Sequence, residues 1–214
     1  MPFRTLIFQG GWSGHEPEAV SAFFADQLDA KGSETCIRDS LDVLDDLEFL
    51  KQFQLIIPCW SMGQITPTQS RNLQSAILSG IGLAGFHGGM GDAFRGDIDY
   101  EWMVGGHFVG HPHVGPYTVR IDQGDHPITQ GSPESFVYDS EQYYMLVDPG
   151  NKVLATTEYT YENATVAMPV LWTKLWGKGR IFYSALGHQL EEFTQYPQVN
   201  DLTLRGLLWA AKQI

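Results

Sequence analysis

Three histidines follow predicted strands of this chain, each beside glycine. His15 comes after the first strand, His87 ends the apolar run 81–86 ahead of Gly88-Gly89, and His188 follows the last strand. In open α/β sheets, ligands bind outside the carboxyl ends of the strands, so these three imidazoles are expected to meet at one edge. The strand–turn–helix elbow of many hydrolases holds a nucleophile where this chain has His87. An imidazole there favours acid–base or metal-ligand chemistry over acyl transfer.

A metal centre is one form that this chemistry can take. Imidazole suits zinc, manganese and related ions, and His107, which follows a predicted short helix, adds a fourth candidate ligand to His15, His87 and His188. No short-range spacing of the H-E-x-x-H type fixes the ligand set. The sequence therefore leaves open a divalent metal held by these histidines and metal-free acid–base catalysis. For His113 and His126 we favour structural hydrogen bonding.

Carboxylates beside aromatic residues form the second group of candidates. Alternation along the predicted strand 135–147 points Glu141 and Tyr143 to one face. At a cleft, Glu141 would be a base, a metal ligand or the group that orients a histidine, whereas a solvated strand residue is the alternative interpretation. The catalytic candidates are thus His87, Glu141 and His188.

Substrate-binding candidates follow the elbow and the first strand. Arg95 could hold an anionic or hydroxyl-rich substrate, with a surface salt bridge as the alternative, and Asp92 either binds substrate or caps a helix. Trp12 and Tyr143 offer aromatic faces that suit a sugar ring, although core packing would also explain them. Neither G-x-S-x-G nor a P-loop occurs, so we expect no nucleotide cofactor, and Cys59 is interpreted as a buried, inert cysteine.

Composition limits the class of protein. The chain has 214 residues, 43% of them hydrophobic, which supports one core and a single domain over 1–214. Its formal charge of −12 argues against nucleic acid as a partner and favours a small molecule. Two cysteines are compatible with a reducing cytosol, and no apolar run approaches the length of a membrane span. We therefore expect a cytoplasmic protein with no membrane partner.

The order of predicted elements indicates how these residues are positioned. The first half alternates strands with helices, with strands at 3–8, 35–38, 54–59 and 81–86, which indicates a parallel, doubly wound sheet. The second half contains strands joined by turns, at 114–122, 135–147, 152–157, 170–176 and 180–186, before a last helix at about 200–213. The prediction is an α/β fold whose mixed sheet is parallel early and partly antiparallel late.

Several segments together resemble the ThuA-like (trehalose utilisation) family. In chain order they are Gly10-Gly11 to His15, Gly85-Phe86-His87, Gly105-Gly106-His107-Phe108 with His111-Pro112, Asp139 to Tyr143, and Gly177 through Tyr183 to Gly187-His188. The resemblance covers nearly the whole chain. It implies a class I glutamine amidotransferase-like fold, a flavodoxin-like three-layer α/β sandwich with a mixed, mainly parallel sheet. It also implies a role in disaccharide catabolism linked to sugars oxidised to 3-keto derivatives.

The resemblance matches His15, His87, His107, Glu141 and His188 to recurring polar positions of the family, and it is compatible with a homo-oligomer. The chain departs from true amidotransferases because His87 replaces the elbow cysteine, and from the usual family pattern because glycine replaces the serine after that histidine. Two hypotheses follow. The first is an enzyme (a lyase, hydrolase or isomerase) that acts on a glycoside or keto-sugar, with a carbohydrate as its small-molecule partner. The second is a non-catalytic carbohydrate-binding or regulatory module on the same fold.

Overall fold

The computed structural model describes residues 2–214, apart from the side chain of Tyr161. These residues form one sheet of nine strands, which are β1 (Phe3–Gly11), β2 (Ser33–Arg38), β3 (Leu55–Ser61), β4 (Gly82–Phe86), β5 (Gly106–Ile121), β6 (Ser135–Val147), β7 (Lys152–Tyr161), β8 (Ala164–Trp176) and β9 (Gly179–Ser184). The helices are α1 (Pro17–Asp29), α2 (Leu47–Leu50), α3 (Pro67–Ser79), α4 (His87–Gly91), α5 (Ile98–Val104), α6 (Leu190–Gln195) and α7 (Pro197–Ala210), with short 3-10 helices at Ser13–His15 and Leu41–Asp45.

The strands lie in the order β2-β1-β3-β4-β9-β8-β7-β5-β6. Neighbours from β2 to β9 pair in parallel, and those from β9 to β6 pair antiparallel. The predicted mixed sheet, parallel early and antiparallel late, is therefore confirmed. The strand β9 pairs in parallel with β4, although the antiparallel strands β5 to β8 lie between these two strands in the sequence. Consequently the carboxyl ends of β1, β3, β4 and β9 share one edge.

Two groups of helices complete the α/β fold. Helices α1, α6 and α7 contact one another, and α2, α3 and α5 form the second group. Both pack on strands whose side chains are buried on each face, as expected for the parallel part of a sheet. The largest fully buried side chains come mainly from the sheet and the helices packed on it, and they include Trp172 and Tyr183 in the middle strands β8 and β9.

Local sequence signals account for the helix starts. In α3, the Thr66 hydroxyl accepts a hydrogen bond from the Gln69 amide at 3.2 Å, and the Gln69 side chain accepts from the Thr66 amide at 2.9 Å. This is a complete capping box, and Pro67 occupies the first helical turn, where its missing N–H leaves no hydrogen bond unmade.

The structure extends some predicted elements and adds short helices that were not predicted. β5 begins at Gly106, whereas the sequence predicted a start at residue 114. The prediction missed the first half of this strand because it contains glycine and proline, which are rare in strands and weaken the sequence signal. The short helix α6 has no counterpart among the predicted elements, since six residues show too little periodicity to detect. Within residues 2–214, no helix is long and apolar enough to span a membrane.

Candidate active site

Three parallel strands deliver histidines to the same edge of the sheet. His15 ends the 3-10 helix after β1, His87 is the first residue of α4 directly after β4, and His188 lies four residues after the end of β9. Their ring centroids lie 4.8 Å (His15–His87), 5.0 Å (His15–His188) and 5.1 Å (His87–His188) apart. The expectation that these three residues meet, although they are distant in sequence, is confirmed.

Glu141 joins the histidines from the opposite end of the sheet. β5 pairs with β7 only at residues 119–121, so the rest of the β5–β6 ribbon is free to bend over the carboxyl edge. Two register irregularities lie in this part of β5, between Phe108 and His113, and such bulges bend and twist a ribbon. As a result Glu141 on β6 lies beside the histidines, and one potential ligand atom from each of His15, His87, Glu141 and His188 lies within 4.8 Å of the others.

The elbow at His87 depends on tight backbone geometry. His87 has φ of +45°, a left-handed conformation that is uncommon for residues other than glycine. Its carbonyl accepts a hydrogen bond from the Tyr183 hydroxyl at 3.1 Å. A Cβ on Gly88 would lie 2.2 Å from Cε1 of His15. Glycine is therefore required after the elbow histidine, because the His15 ring occupies the space that a side chain would need.

Two histidines have hydrogen-bond partners on the side away from the cluster. Nδ1 of His15 lies 2.5 Å from the Ser61 hydroxyl, and Nδ1 of His87 lies 3.0 Å from the Tyr143 hydroxyl. These bonds leave the Nε2 atom of each ring available to the cluster. Partners of this kind fix the tautomer and orientation of metal-binding imidazoles in proteins.

The nitrogens facing the cluster are short of partners. Nε2 of His87 and Nδ1 of His188 are buried without a hydrogen bond. They lie 3.6 Å and 3.3 Å from the same Glu141 oxygen, Oε2. Both distances are within the range of an ion pair, but neither contact has the geometry of a hydrogen bond. Buried polar atoms are normally hydrogen-bonded, so two such nitrogens in one cluster indicate space for a further ligand.

Burial and mutual repulsion keep two of the imidazoles neutral. Burial, with the nearby His188, lowers the pKa of His15 to about 4, and burial with His15 and His188 lowers the pKa of His87 well below its usual value. Both rings therefore carry a free lone pair at neutral pH. Neutral imidazole is the form that binds metals.

The pKa values of Glu141 and His188 shift so as to favour the charged form of each group. Burial by itself would raise the pKa of Glu141, but the adjacent His188 and other histidines lower it. Burial by itself would lower the pKa of His188, yet the carboxylate of Glu141 raises it. Glu141 is thus an ionised carboxylate at neutral pH, surrounded by imidazole rings.

A small pocket opens beside the cluster. Its volume is about 150 Å³, and its lining includes Trp12, Met62, Asp92, Arg95, Phe108, His111 and Tyr143 together with His15 and Glu141. The buried Asp92 carboxylate accepts two hydrogen bonds from the Arg95 guanidinium, at 2.5 and 2.7 Å. The pocket therefore combines aromatic faces, an oriented cation and two members of the cluster, His15 and Glu141. We call this space the reaction pocket.

Comparison with known proteins supports a family assignment. A family model described as ThuA, trehalose utilisation, matches residues 4–210. The chain belongs to the ThuA family. No functionally curated protein matches it by sequence.

Solved structures share the ThuA fold of this chain. A putative ThuA-like protein from Bacteroides uniformis is 22% identical with a TM-score of 0.79, and the match covers 98% of this chain and 91% of that protein. One from Parabacteroides merdae is 18% identical with a TM-score of 0.80, covering 100% and 91%. A cytoplasmic protein from Salmonella typhimurium is 11% identical with a TM-score of 0.64, covering 98% and 97%. At these identities the likeness establishes the fold.

The structure separates one of the four predicted metal ligands from the other three. His107 does not join the cluster of His15, His87, Glu141 and His188; its Nδ1 lies 3.2 Å from a carboxylate oxygen of Glu101. The reason is its position in the first residues of β5, before the bend that brings β6 to the cluster. The four predicted substrate-binding residues, Trp12, Asp92, Arg95 and Tyr143, all line the reaction pocket.

The residues interpreted as structural also have defined surroundings. Nδ1 of His126 accepts a hydrogen bond from the Ile128 amide at 3.3 Å, away from the cluster. His113 contacts the Pro116 carbonyl at 3.4 Å. Cys59 is buried, as expected, and burial raises the pKa of its thiol to about 11, which disfavours the reactive thiolate.

Three residues at this site, His111, Ser61 and Glu192, are not among the predicted site residues. Nε2 of His111 lies 3.7 Å from Oε1 of Glu141, and Ser61 holds His15. Glu192 accepts hydrogen bonds from the Ser140 hydroxyl and the His188 amide, each at 2.6 Å, and from the Tyr138 hydroxyl. Ser61 could have been found, since it ends a strand at the same sheet edge. Glu192 lies on the unpredicted helix α6, so no pattern in the sequence points to it.

Proposed function

We propose that this ThuA protein is a metal-dependent enzyme of trehalose or related disaccharide catabolism, acting on a keto-sugar or glycoside by acid–base chemistry. The observation that carries the proposal is the convergence of His15, His87, His188 and Glu141 at one sheet edge. Such a cluster beside a pocket is the arrangement expected of a catalytic site.

The three imidazoles are proposed to hold a divalent ion, zinc or manganese. Nε2 of His87 and Nδ1 of His188 are buried without a hydrogen bond and face the cluster, and the hydrogen bond of His15 to Ser61 leaves its Nε2 available. Neutral His15 and His87 suit this role. A bound ion would polarise a carbonyl or hydroxyl oxygen of the substrate.

Glu141 is proposed as the group that takes the proton. Its pKa is lowered, so it is ionised at neutral pH, and its second oxygen lies toward His111 in the wall of the reaction pocket. A 3-keto group acidifies the neighbouring C–H bond, so elimination or isomerisation needs a base and an electrophile but no covalent nucleophile. This agrees with an elbow that carries His87 and with an inert Cys59.

The remaining pocket residues are proposed to orient the sugar. Arg95 is held by two hydrogen bonds from its guanidinium to Asp92, and it presents its remaining N–H groups to hydroxyl oxygens. Trp12 lies at the mouth with 45% of its surface exposed and its ring 4.7 Å from that of His15, so it can cover one face of a sugar. Tyr143 also lines the pocket, with its hydroxyl directed to His87.

The test is turnover of a 3-keto-disaccharide by metal-loaded protein, followed by NMR of the sugar. We expect product formation by the wild type and a loss of at least about a hundredfold in Glu141→Gln, the usual cost of removing a general base. The glutamine side chain has nearly the same shape as the glutamate that it replaces, so the fold should persist, as circular dichroism would check. Sugar binding without any chemical change in the wild type would reject the enzyme and favour a carbohydrate-binding module.

A further inference from the structure

A second compartment adjoins the reaction pocket. It has a volume of about 210 Å³, and it shares Asp92, Arg95 and Phe108 with the reaction pocket as a common wall. Its far side is formed by α5 and the start of β5, where Glu101 and His107 lie. The proposed reaction uses neither of these two residues. We call this space the Glu101–His107 compartment.

The polar groups of this compartment form a fixed pair. Nδ1 of His107 lies 3.2 Å from Oε2 of Glu101, and Oε1 of Glu101 accepts a hydrogen bond from the Gly96 amide at 2.9 Å. The carboxylate is therefore held from both sides, by backbone and by imidazole. The side chains keep 20% (Glu101) and 36% (His107) of their surface exposed, so both remain accessible to a ligand.

An aromatic ring also lines the compartment. Phe108 lines both spaces, and the guanidinium carbon of Arg95 lies 5.8 Å from the centre of its ring. A carboxylate, an imidazole and a guanidinium around an aromatic ring offer both acceptors and donors beside a flat apolar surface. Sugar rings present hydroxyl groups at their rim and C–H groups on their faces, which match such an arrangement.

The two adjoining spaces are of comparable size, about 150 Å³ for the reaction pocket and about 210 Å³ for the Glu101–His107 compartment. A sugar ring in the reaction pocket can therefore have a second ring, joined to it, in the neighbouring space. The Glu101–His107 compartment is adjacent, and Arg95 in the shared wall can contact both rings.

We propose that the Glu101–His107 compartment binds the second, hydroxyl-rich unit of the substrate. The protein then selects a disaccharide, or a glycoside with an equally polar second unit, over the corresponding monosaccharide. This inference rests on the proposed function, since it assumes that the reacting ring occupies the reaction pocket. It assigns His107 to substrate recognition in place of metal binding.

The test compares the affinities of 3-keto-trehalose and 3-keto-glucose by calorimetry. Metal-loaded Glu141→Gln protein prevents turnover during the measurement. We expect the disaccharide to bind at least about tenfold more tightly, and we expect Glu101→Gln added to this background to remove most of that preference while leaving the affinity for 3-keto-glucose unchanged. A tenfold effect is what the loss of one charge-assisted hydrogen bond produces.

Controls separate recognition from folding. In Glu101→Gln the amide oxygen of the new side chain can still accept the hydrogen bond from the Gly96 amide, and His107→Gln is a second variant that should act in the same direction. Glu48→Gln neutralises an exposed carboxylate on α2 and should leave both affinities unchanged. Equal affinity for the two sugars, no binding of either, or an unchanged preference in both variants would overturn the proposal.

Failure of this inference can be distinguished from failure of the proposed function. If wild-type protein fails to convert 3-keto-trehalose but the disaccharide preference depends on Glu101, the reaction is wrong and the compartment stands. If wild-type protein converts the sugar but Glu101→Gln leaves the preference intact, the reaction stands and the compartment is wrong.

Discussion

The hydroxyl of Tyr143 lies 3.0 Å from Nδ1 of His87, while Nε2 on the other side of the same ring faces Glu141 at 3.6 Å. Tyr143 and Glu141 are two residues apart on β6, so one strand contacts both nitrogens of the elbow histidine. The alternation of a strand places these two side chains on one face. The β5–β6 ribbon therefore completes a site that the parallel strands begin.

Tyr143→Phe should weaken metal binding, because the hydroxyl that orients His87 is lost. We expect the dissociation constant for zinc to rise about 10- to 100-fold, the usual effect of removing an outer partner of a metal-binding imidazole. Competition with a chromophoric chelator measures it. Tyr144→Phe, at the next position, is the matched control and should leave the affinity unchanged, whereas equal effects of the two variants would contradict the account.

Gly88→Ala should displace His15. The added methyl group would lie 2.2 Å from Cε1 of that ring, which no side-chain pair tolerates without movement. We expect zinc affinity to fall at least about tenfold and the protein to lose stability by about 1–3 kcal/mol, as overpacking typically does. Gly110→Ala is the control, since a Cβ there meets no atom within 4 Å. Chelator competition and urea unfolding report both effects; a Gly88→Ala protein that binds zinc normally would refute the placement of His15.

The metal-free protein should lose stability as the pH falls from about 6.5 towards 4. Burial lowers the pKa of His15 to about 4 and that of His87 well below 6.5, so the unfolded chain binds more protons than the folded chain in this range. The pKa of His188 is raised, so this residue stabilises the folded chain at lower pH, but it is a single group opposed by His15 and His87. Urea unfolding of chelator-treated protein at pH 7 and pH 5 measures the change. His15→Gln should show a smaller loss, and greater stability at pH 5 would contradict this electrostatic picture.

Glu192→Gln should destabilise the turn that carries His188. The Glu192 carboxylate accepts hydrogen bonds from Tyr138, Ser140 and the His188 amide, and an amide in its place turns an N–H donor toward some of these donors. We expect a loss of about 1–3 kcal/mol in the free energy of unfolding. Glu191→Gln alters the preceding, exposed residue of α6 and is the control. An equal loss in both variants, measured by urea unfolding, would contradict a specific role for Glu192.

Much of this fold could be predicted from the sequence because its signals are local. Buried apolar runs and the Thr66-Pro67 cap predict the parallel half, and the position of His15, His87 and His188 after strands predicts their convergence. The shared edge follows from parallel pairing alone. No detailed knowledge of packing is needed for that inference.

The rest depends on contacts between distant segments. From the sequence, His107 was predicted to be a metal ligand. The bend of the β5–β6 ribbon instead places Glu141 and His111 at the site and leaves His107 beside Glu101. The size of that bend is set by bulges and by where β5 leaves β7, and neither is encoded in a residue pattern. The role of Glu192 likewise arises from a tertiary contact.

Elemental analysis of tag-free protein, purified without added metal or chelator, shows whether the histidine cluster holds a metal ion. We expect close to one zinc or manganese ion per chain in the wild type. We expect loss of that ion in a His15→Gln, His87→Gln or His188→Gln variant, and full retention in His126→Gln, which alters a histidine away from the cluster. Wild-type protein that contains no metal and takes up none, as judged by unchanged thermal stability with added zinc or manganese, would contradict the proposed metal site.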